Sequence, residues 1–330
     1  MPAGSTTTAR RTPDEGERKT MRLGYDRPLY VLPFDHRASF ETGLFGFKPP
    51  LTREQAAMVA AMKRVVYDGF RRALDVGVPA EAAGILVDEE FGAGILRDAR
   101  ERGVVTCVPV ERSGREEFAF EYGDRWKDHV AAVAPTFVKA LVRYNPEGDK
   151  AMNRRQAARL RVLSDHCHGT GVRFMFELLV PATPAQSDRQ HGDAGLYDRD
   201  ERPALMAGAI KELQQAGVEP DIWKIEGLDR RADCEMLVAT ARRDGRDEVG
   251  CIVLGRGSDE AGILAWLRAA APVPGFLGFA VGRTSFWAAL VGLRDNTLTR
   301  EEAVVQIADR YLEWVRTFTG ARGESGHGCQ

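Results

Sequence analysis

The sequence predicts an α/β fold, a single (β/α)₈ barrel of the TIM type, on three observations. Eight short apolar or β-branched runs alternate with stretches of helical spacing. The eight units fit within roughly 250 residues, the span of a closed eightfold barrel. The turn after the first run is Asp35-His36-Arg37-Ala38-Ser39, polar and charged, where an open doubly wound sheet would carry a glycine-rich phosphate turn.

The elements follow in order. Met1 to about Arg27 is rich in Thr, Arg, Glu and Gly without apolar periodicity, so 1–27 reads as a disordered tail. The barrel spans 28–318, and its strand runs are each bounded by turn residues. They are Leu29 to Phe34, Gly84 to Val87, Val104 to Pro109, Phe137 to Val142, Arg173 to Leu179, Ile222 to Ile225, Cys251 to Leu254 and Gly275 to Val281. Helical spacing follows at Arg53 to Leu74, Gly94 to Glu101, Asp124 to Val133, Arg154 to His166, Arg202 to Gln215, Arg231 to Arg243, Asp259 to Ala270 and Ser285 to Leu293. A last amphipathic helix, Arg300 to Thr317, completes the pattern, and 319–330 reads as a second tail. The longest insertion, Pro181 to Arg199, has the composition of a long loop and follows the fifth strand; long loops on the active face can act as lids.

Composition narrows the function classes. Of 330 residues, 46 are basic and 48 acidic, so a net charge of -2 gives no sign of a nucleic-acid partner. No apolar run approaches the roughly 20 residues that cross a bilayer, and no secretion signal is visible, which makes a cytoplasmic enzyme the expectation. The five cysteines are widely spaced and lack any Cys-x-x-Cys pair, so they read as incidental thiols. His166, Cys167 and His168 sit at a helix end, where histidine suits the helix dipole better than it argues for a metal. No metal and no cofactor are expected. The expected partner is a small molecule, and barrels of this kind often assemble into homo-oligomers.

The residue that carries chemistry is Lys224, in Asp221-Ile222-Trp223-Lys224-Ile225-Glu226-Gly227, where a cation interrupts an apolar strand. Desolvation favours the neutral amine, the form that attacks a ketone to make a Schiff base. An edge-strand lysine with its head in water would look the same in isolation. The other strand ends decide between them. Strand one ends in Asp35-His36-Arg37, strand two in Asp88-Glu89-Glu90, and strand four carries Lys139 with Arg143 on the same face. Glu177 lies in strand five, and Glu226 follows Lys224 in strand six. Strands seven and eight end in Gly255-Arg256-Gly257-Ser258 and Gly282-Arg283-Thr284. Glycine admits close approach to backbone amides and arginine offers a planar fork, so these two loops read as a phosphate site. Lys139 adds a second cation beside Lys224, and Glu177, with Asp35 second, is the candidate proton shuttle.

Together, Leu32-Pro33-Phe34-Asp35-His36-Arg37, Leu86-Val87-Asp88-Glu89-Glu90-Phe91-Gly92, Val138-Lys139-Ala140-Leu141-Val142-Arg143-Tyr144-Asn145-Pro146 and Ile222-Trp223-Lys224-Ile225-Glu226-Gly227 resemble one known family. It is the aldolase domain fused to some 5-dehydro-2-deoxygluconokinases, within the class I group that includes tagatose-bisphosphate and sulfofructose-phosphate aldolases. The resemblance covers about 28 to 318. It implies Lys224 as the Schiff-base lysine, Glu177 as acid and base, Asp35 and Lys139 in support, and Arg283 among the phosphate binders. His36 and Arg143 favour the gluconate-type branch over the tagatose type. No kinase precedes the first strand, so a stand-alone aldolase is expected. The implied reaction cleaves 2-deoxy-5-keto-gluconate 6-phosphate, a step of inositol catabolism, with Arg37 or Arg143 recognising the substrate carboxylate. Rival readings are an aldolase on another ketose phosphate, a lyase holding a hard cation through Asp35, Asp88, Glu90 and Glu177, and a non-catalytic sugar-phosphate sensor.

Overall fold

The computed structural model describes residues 22–324. Eight parallel strands close into a barrel in sequence order: β1 (Leu29–Pro33), β2 (Ala83–Leu86), β3 (Val105–Pro109), β4 (Phe137–Arg143), β5 (Arg173–Leu179), β6 (Ile222–Glu226), β7 (Gly250–Leu254) and β8 (Phe276–Ala280). Around it run α1 (Arg53–Asp75), α2 (Glu89–Glu101), α3 (Trp126–Val133), α4 (Lys150–Thr170), α5 (Pro184–Arg189), α6 (Ala194–Leu196), α7 (Arg202–Gln215), α8 (Arg231–Arg242), α9 (Glu260–Ala270), α10 (Arg283–Arg294) and α11 (Arg300–Glu324).

The period-two alternation of the strands builds two cores. Leu29, Val31, Val105, Phe137, Met175, Ile222 and Ile252 point inward and fill the lower barrel. Their neighbours in sequence, such as Tyr30, Phe174, Phe176, Trp223 and Val253, point outward against the helices. Several helices start where the sequence supplies a capping side chain. Thr52 and Gln55 form a reciprocal box at α1, while Asp88, Asp149 and Asp259 accept backbone N–H bonds at α2, α4 and α9. Cys107, Cys167, Cys234 and Cys251 are buried free thiols, and Cys329 lies outside the described residues.

Four features differ from the sequence reading. Residues 22–27, assigned there to a tail, belong to the barrel. Tyr25 is buried against Phe137 at the closed end, with ring centroids 5.2 Å apart. The Gly24 amide donates to Asp221 Oδ1 at 2.9 Å, and its φ of +110° beside the Glu248 backbone leaves no room for a Cβ. Second, α11 continues through 319–324 instead of ending in a tail. The rest of both tail assignments, 1–21 and 325–330, lies outside the described residues. Third, the insertion after β5 is largely helical, as α5, α6 and a π-turn at Tyr197–Glu201, because Thr183 with Gln186 and then Asp193 cap its pieces. Fourth, α2 starts at Glu89 rather than Gly94, since the Asp88 carboxylate accepts from the Phe91 amide.

Candidate active site

The apolar filling stops at the C-terminal end of the barrel, and a charged layer replaces it. Residue pairing across the sheet determines who meets whom. Glu177 on β5 lies opposite Lys224 on β6, and Leu141 on β4 lies opposite Glu177. Lys139, two residues before Leu141, shares its face. The Lys224 ammonium donates to Glu177 Oε1 at 2.8 Å, and Lys139 Nζ lies 3.1 Å from Glu177 Oε2. Lys139 also meets Asp35 Oδ2 at 2.8 Å and Glu111 Oε1. The two lysines and Glu177 are at most 4% exposed. In a closed barrel there is no edge at which the head of Lys224 could reach bulk water, which removes the edge-strand reading.

Electrostatics gives the members of this layer separate tasks. Burial alone would lower Lys139, but Asp35, Glu111 and Glu177 outweigh it and hold its pKa well above the usual lysine value. Lys139 is therefore a fixed cation. Burial pushes the carboxyls of Asp35 and Glu177 up, yet Lys139 and Lys224 outweigh it, so both stay below the usual range and ionised. Glu111 goes the other way, because burial and the charges of Asp35 and Glu177 prevail over Lys139 and raise it. Desolvation lowers His36 despite the attraction of Asp35 and Glu177, favouring the neutral ring.

Two cavities open from this layer on opposite sides. One, of about 200 Å³, is lined by Lys224, Glu177, Gly255, Gly257, Gly282 and Arg283. The other, of about 190 Å³, is lined by Lys139, Asp35, Glu111, Arg37, Arg115 and Arg143. His36, Leu141 and Glu177 line both, so together they form one cleft across the barrel mouth with Glu177 at its middle. In the β7 loop, Arg256 and Gly257 have φ of +47° and +72°, and the Ser258 amide donates to the Gly255 carbonyl at 3.0 Å. This tight turn lays Gly257 beneath the Arg283 guanidinium, where a Cβ would sit 2.5 Å from Nη2. Arg283 opens α10 and faces the cavity with no carboxylate partner among the described residues. A guanidinium, exposed backbone and a helix N-terminus make that end suited to a phosphate.

The other residues singled out from the sequence sit differently. Arg256 is occupied, with Nε 2.9 Å from Glu226 and Nη1 2.6 Å from Asp198. Glu226 also pairs with Arg202 at 3.3 Å and accepts the Val180 amide at 2.9 Å, so it ties β6 to the β5 insertion. Asp88 lies outside the cleft: besides capping α2 it pairs with the buried Lys63, which donates to the Phe34 carbonyl at 2.9 Å and so supports the backbone beside Asp35. The four carboxylates of the hard-cation reading are thus divided, Asp88 with Lys63, Asp35 and Glu177 with Lys139, and Glu90 4.0 Å from Arg37. Arg37 lines the cleft with Nη1 2.8 Å from Glu121, and Arg143 Nη1 donates to the Arg115 carbonyl at 3.1 Å.

Strand three contributed nothing to the sequence-derived set, and this is where residues were missed. Glu111-Arg112-Ser113-Gly114-Arg115 begins two positions after β3 and lines the cleft. Reading the residues that follow the apolar run at Pro109, as for the other strands, would have found Glu111.

The fold and the charged layer at its C-terminal end define a (β/α)₈ barrel with paired interior lysines. The chain belongs to the family described as uncharacterized proteins conserved in bacteria (DUF2090), whose profile matches residues 16–322. No curated protein matches the chain. Among solved structures it is similar to fructose-bisphosphate aldolase of Plasmodium falciparum, with a TM-score of 0.63 and 11% identity over 91% of this chain and 98% of that one. It is also similar to a structural-genomics target from Corynebacterium glutamicum, with a TM-score of 0.53 and 17% identity over 90% of this chain and 88% of that one. At these identities the likeness is one of fold.

Proposed function

We propose that this protein is a class I aldolase that uses Lys224 to form a Schiff base with a phosphorylated keto sugar acid. The preferred substrate is 2-deoxy-5-keto-gluconate 6-phosphate, cleaved to dihydroxyacetone phosphate and malonate semialdehyde. The observation that carries this reading is the Lys224–Glu177–Lys139 chain, a desolvated amine 2.8 Å from a carboxylate that a second lysine also holds. The name of the Plasmodium falciparum structure that shares the fold is consistent with it.

Each step has a residue suited to it. Glu177 Oε1 takes a proton from Lys224 Nζ, and the free amine adds to the substrate ketone to give a carbinolamine. Glu177 returns a proton to the carbinolamine hydroxyl, water leaves, and an iminium remains. A base then removes the proton of the β-hydroxyl, the carbon–carbon bond breaks, and its electron pair flows into the iminium to form an enamine. The aldehyde departs. Protonation of the enamine carbon and addition of water release dihydroxyacetone phosphate and regenerate the lysine. Ionised Asp35 and Glu177 are the bases in reach, and the fixed charge of Lys139 stabilises negative charge developing on substrate oxygens. Gly257 and Arg283 offer a seat for the phosphate.

Borohydride reduction in the presence of dihydroxyacetone phosphate tests the reading. The expected result is a single reduced adduct on Lys224 by peptide mapping, absent in Lys224→Met. An unlabelled Lys224 in folded protein would discard the Schiff base.

A further inference from the structure

The cleft has a second charged end, and of the two arginines chosen from the sequence only Arg143 belongs to it. Arg37 and Arg143 were the expected carboxylate binders. Arg37 is largely committed, with Nη1 2.8 Å from Glu121 and Nη2 donating to the Glu111 carbonyl at 3.3 Å. The segment between β3 and α3 instead folds back over the cleft. A bridge pairs Glu111 with Phe120, the Arg112 amide donates to the Ala119 carbonyl at 2.8 Å, and the Glu121 amide to the Val110 carbonyl at 2.9 Å. Glu121 then accepts from the Ser113 amide at 3.2 Å. One carboxylate therefore both neutralises Arg37 and shapes the tip that holds Arg112 and Arg115.

That tip presents charge without a matching countercharge. Arg112 and Arg115 line the cleft, and among the described residues neither side chain has a carboxylate partner. Arg143 approaches from β4 and donates to the Arg115 carbonyl at 3.1 Å, which fixes the tip to the barrel, and among the described residues it too has no carboxylate partner. Below them Lys139 is already compensated by Asp35, Glu111 and Glu177. Three guanidinium groups thus gather at the end of the cleft opposite Gly257 and Arg283, with Lys224 and Glu177 between the two ends.

We propose that Arg112 and Arg115, steadied by Arg143, form a clamp for an oxyanion at the end of the substrate distal to its phosphate, and so set its specificity. This inference rests on the Schiff-base reading and extends it to a substrate charged at both ends. A carboxylate matches the fork geometry of the arginines, and a distal phosphate shares the same chemistry.

The test compares wild type with Arg112→Ala, Arg115→Ala and the double variant, whose exposed loop positions leave the core intact. Three cleavage substrates are used: 2-deoxy-5-keto-gluconate 6-phosphate with a distal carboxylate, fructose 1,6-bisphosphate with a distal phosphate, and fructose 1-phosphate with a neutral end. Charge-assisted hydrogen bonds of this kind correspond to about a 10- to 100-fold change. The double variant is expected to raise KM for the preferred anionic substrate by about that factor, to leave fructose 1-phosphate unchanged, and to form the dihydroxyacetone phosphate adduct as wild type does. Whichever anionic substrate shows the larger loss identifies the anion. Equal effects on charged and neutral substrates, or none, would overturn the clamp while leaving the aldolase reading in place. If wild type forms no adduct, titration with malonate separates the two ideas: binding lost in the double variant upholds the clamp without the Schiff base, and binding absent from wild type or unaltered in the variant ends it.

Discussion

Lys139 shows how much one side chain can organise. Its ammonium gathers Asp35, Glu111 and Glu177, and the balance of burial against Lys139, with help from Lys224 at Asp35 and Glu177, leaves two of the three ionised and raises the third. Asp35 has a folded-state pKa below its unfolded value. It therefore contributes stability that is present above about pH 4, the unfolded carboxyl value, and is lost as the pH falls toward the folded value. Asp35→Asn should lower Tm at neutral pH and flatten the decline of Tm below about pH 4, as followed by circular dichroism across a pH series. An unaltered acid limb would contradict the Asp35–Lys139 assignment. At this scale the sequence was most legible for Lys139, Glu177 and Lys224, because a charge set into an apolar strand stands out. Glu111 was not legible in the same way, since it lies just beyond its strand and has the appearance of an ordinary loop carboxylate.

Among the elements, the loops after β7 and β8 meet only because Gly257 lacks a side chain. Gly257→Ala would strain a φ of +72° and press a methyl against Arg283. The left-handed backbone alone costs about 1 kcal/mol, and displacement of the guanidinium weakens the phosphate seat. The expected outcome is a KM for phosphorylated substrate about 10-fold higher with kcat nearly retained, on the estimate that charged hydrogen bonds contribute about 1.5–3 kcal/mol. Unchanged KM in steady-state kinetics would remove Gly257 and Arg283 from phosphate binding. The two Gly-Arg pairs look alike in sequence and differ in the folded chain. Among the described residues Arg283, at a helix start, has no carboxylate partner, whereas Arg256 is held between Glu226 and Asp198. Asp198 comes from the β5 insertion, which was expected to be an irregular loop and is mostly helical.

For the whole molecule, closure of the barrel separates a structural end from a chemical one. At the structural end Asp221 is buried and accepts the Gly24 amide at 2.9 Å and the Phe174 amide at 2.7 Å, with Arg173 at 3.3 Å. Asp221→Ala should cost about 2–4 kcal/mol by leaving two buried amide donors unpaired and the Arg173 guanidinium without its carboxylate. It should lower Tm while leaving the Lys224 adduct intact at a temperature where the variant is folded. A large loss of adduct in folded protein would show that this end is coupled to the chemistry. Among the described residues no helix is long and apolar enough to cross a membrane.

The sequence by itself determined the eightfold alternation and which strand positions carry charge, because side-chain direction in a strand follows a period of two and burial selects apolar residues on that period. Only the tertiary structure decided which of those charges are free. Arg37 is balanced by Glu121, Arg256 by Asp198, and Asp88 by Lys63, all partners from distant segments. Coulomb attraction depends on distance in space, which separation along the chain does not encode. Among the described residues Arg283 at one end of the cleft and Arg112, Arg115 and Arg143 at the other have no carboxylate partner, which becomes visible only when the segments are brought together.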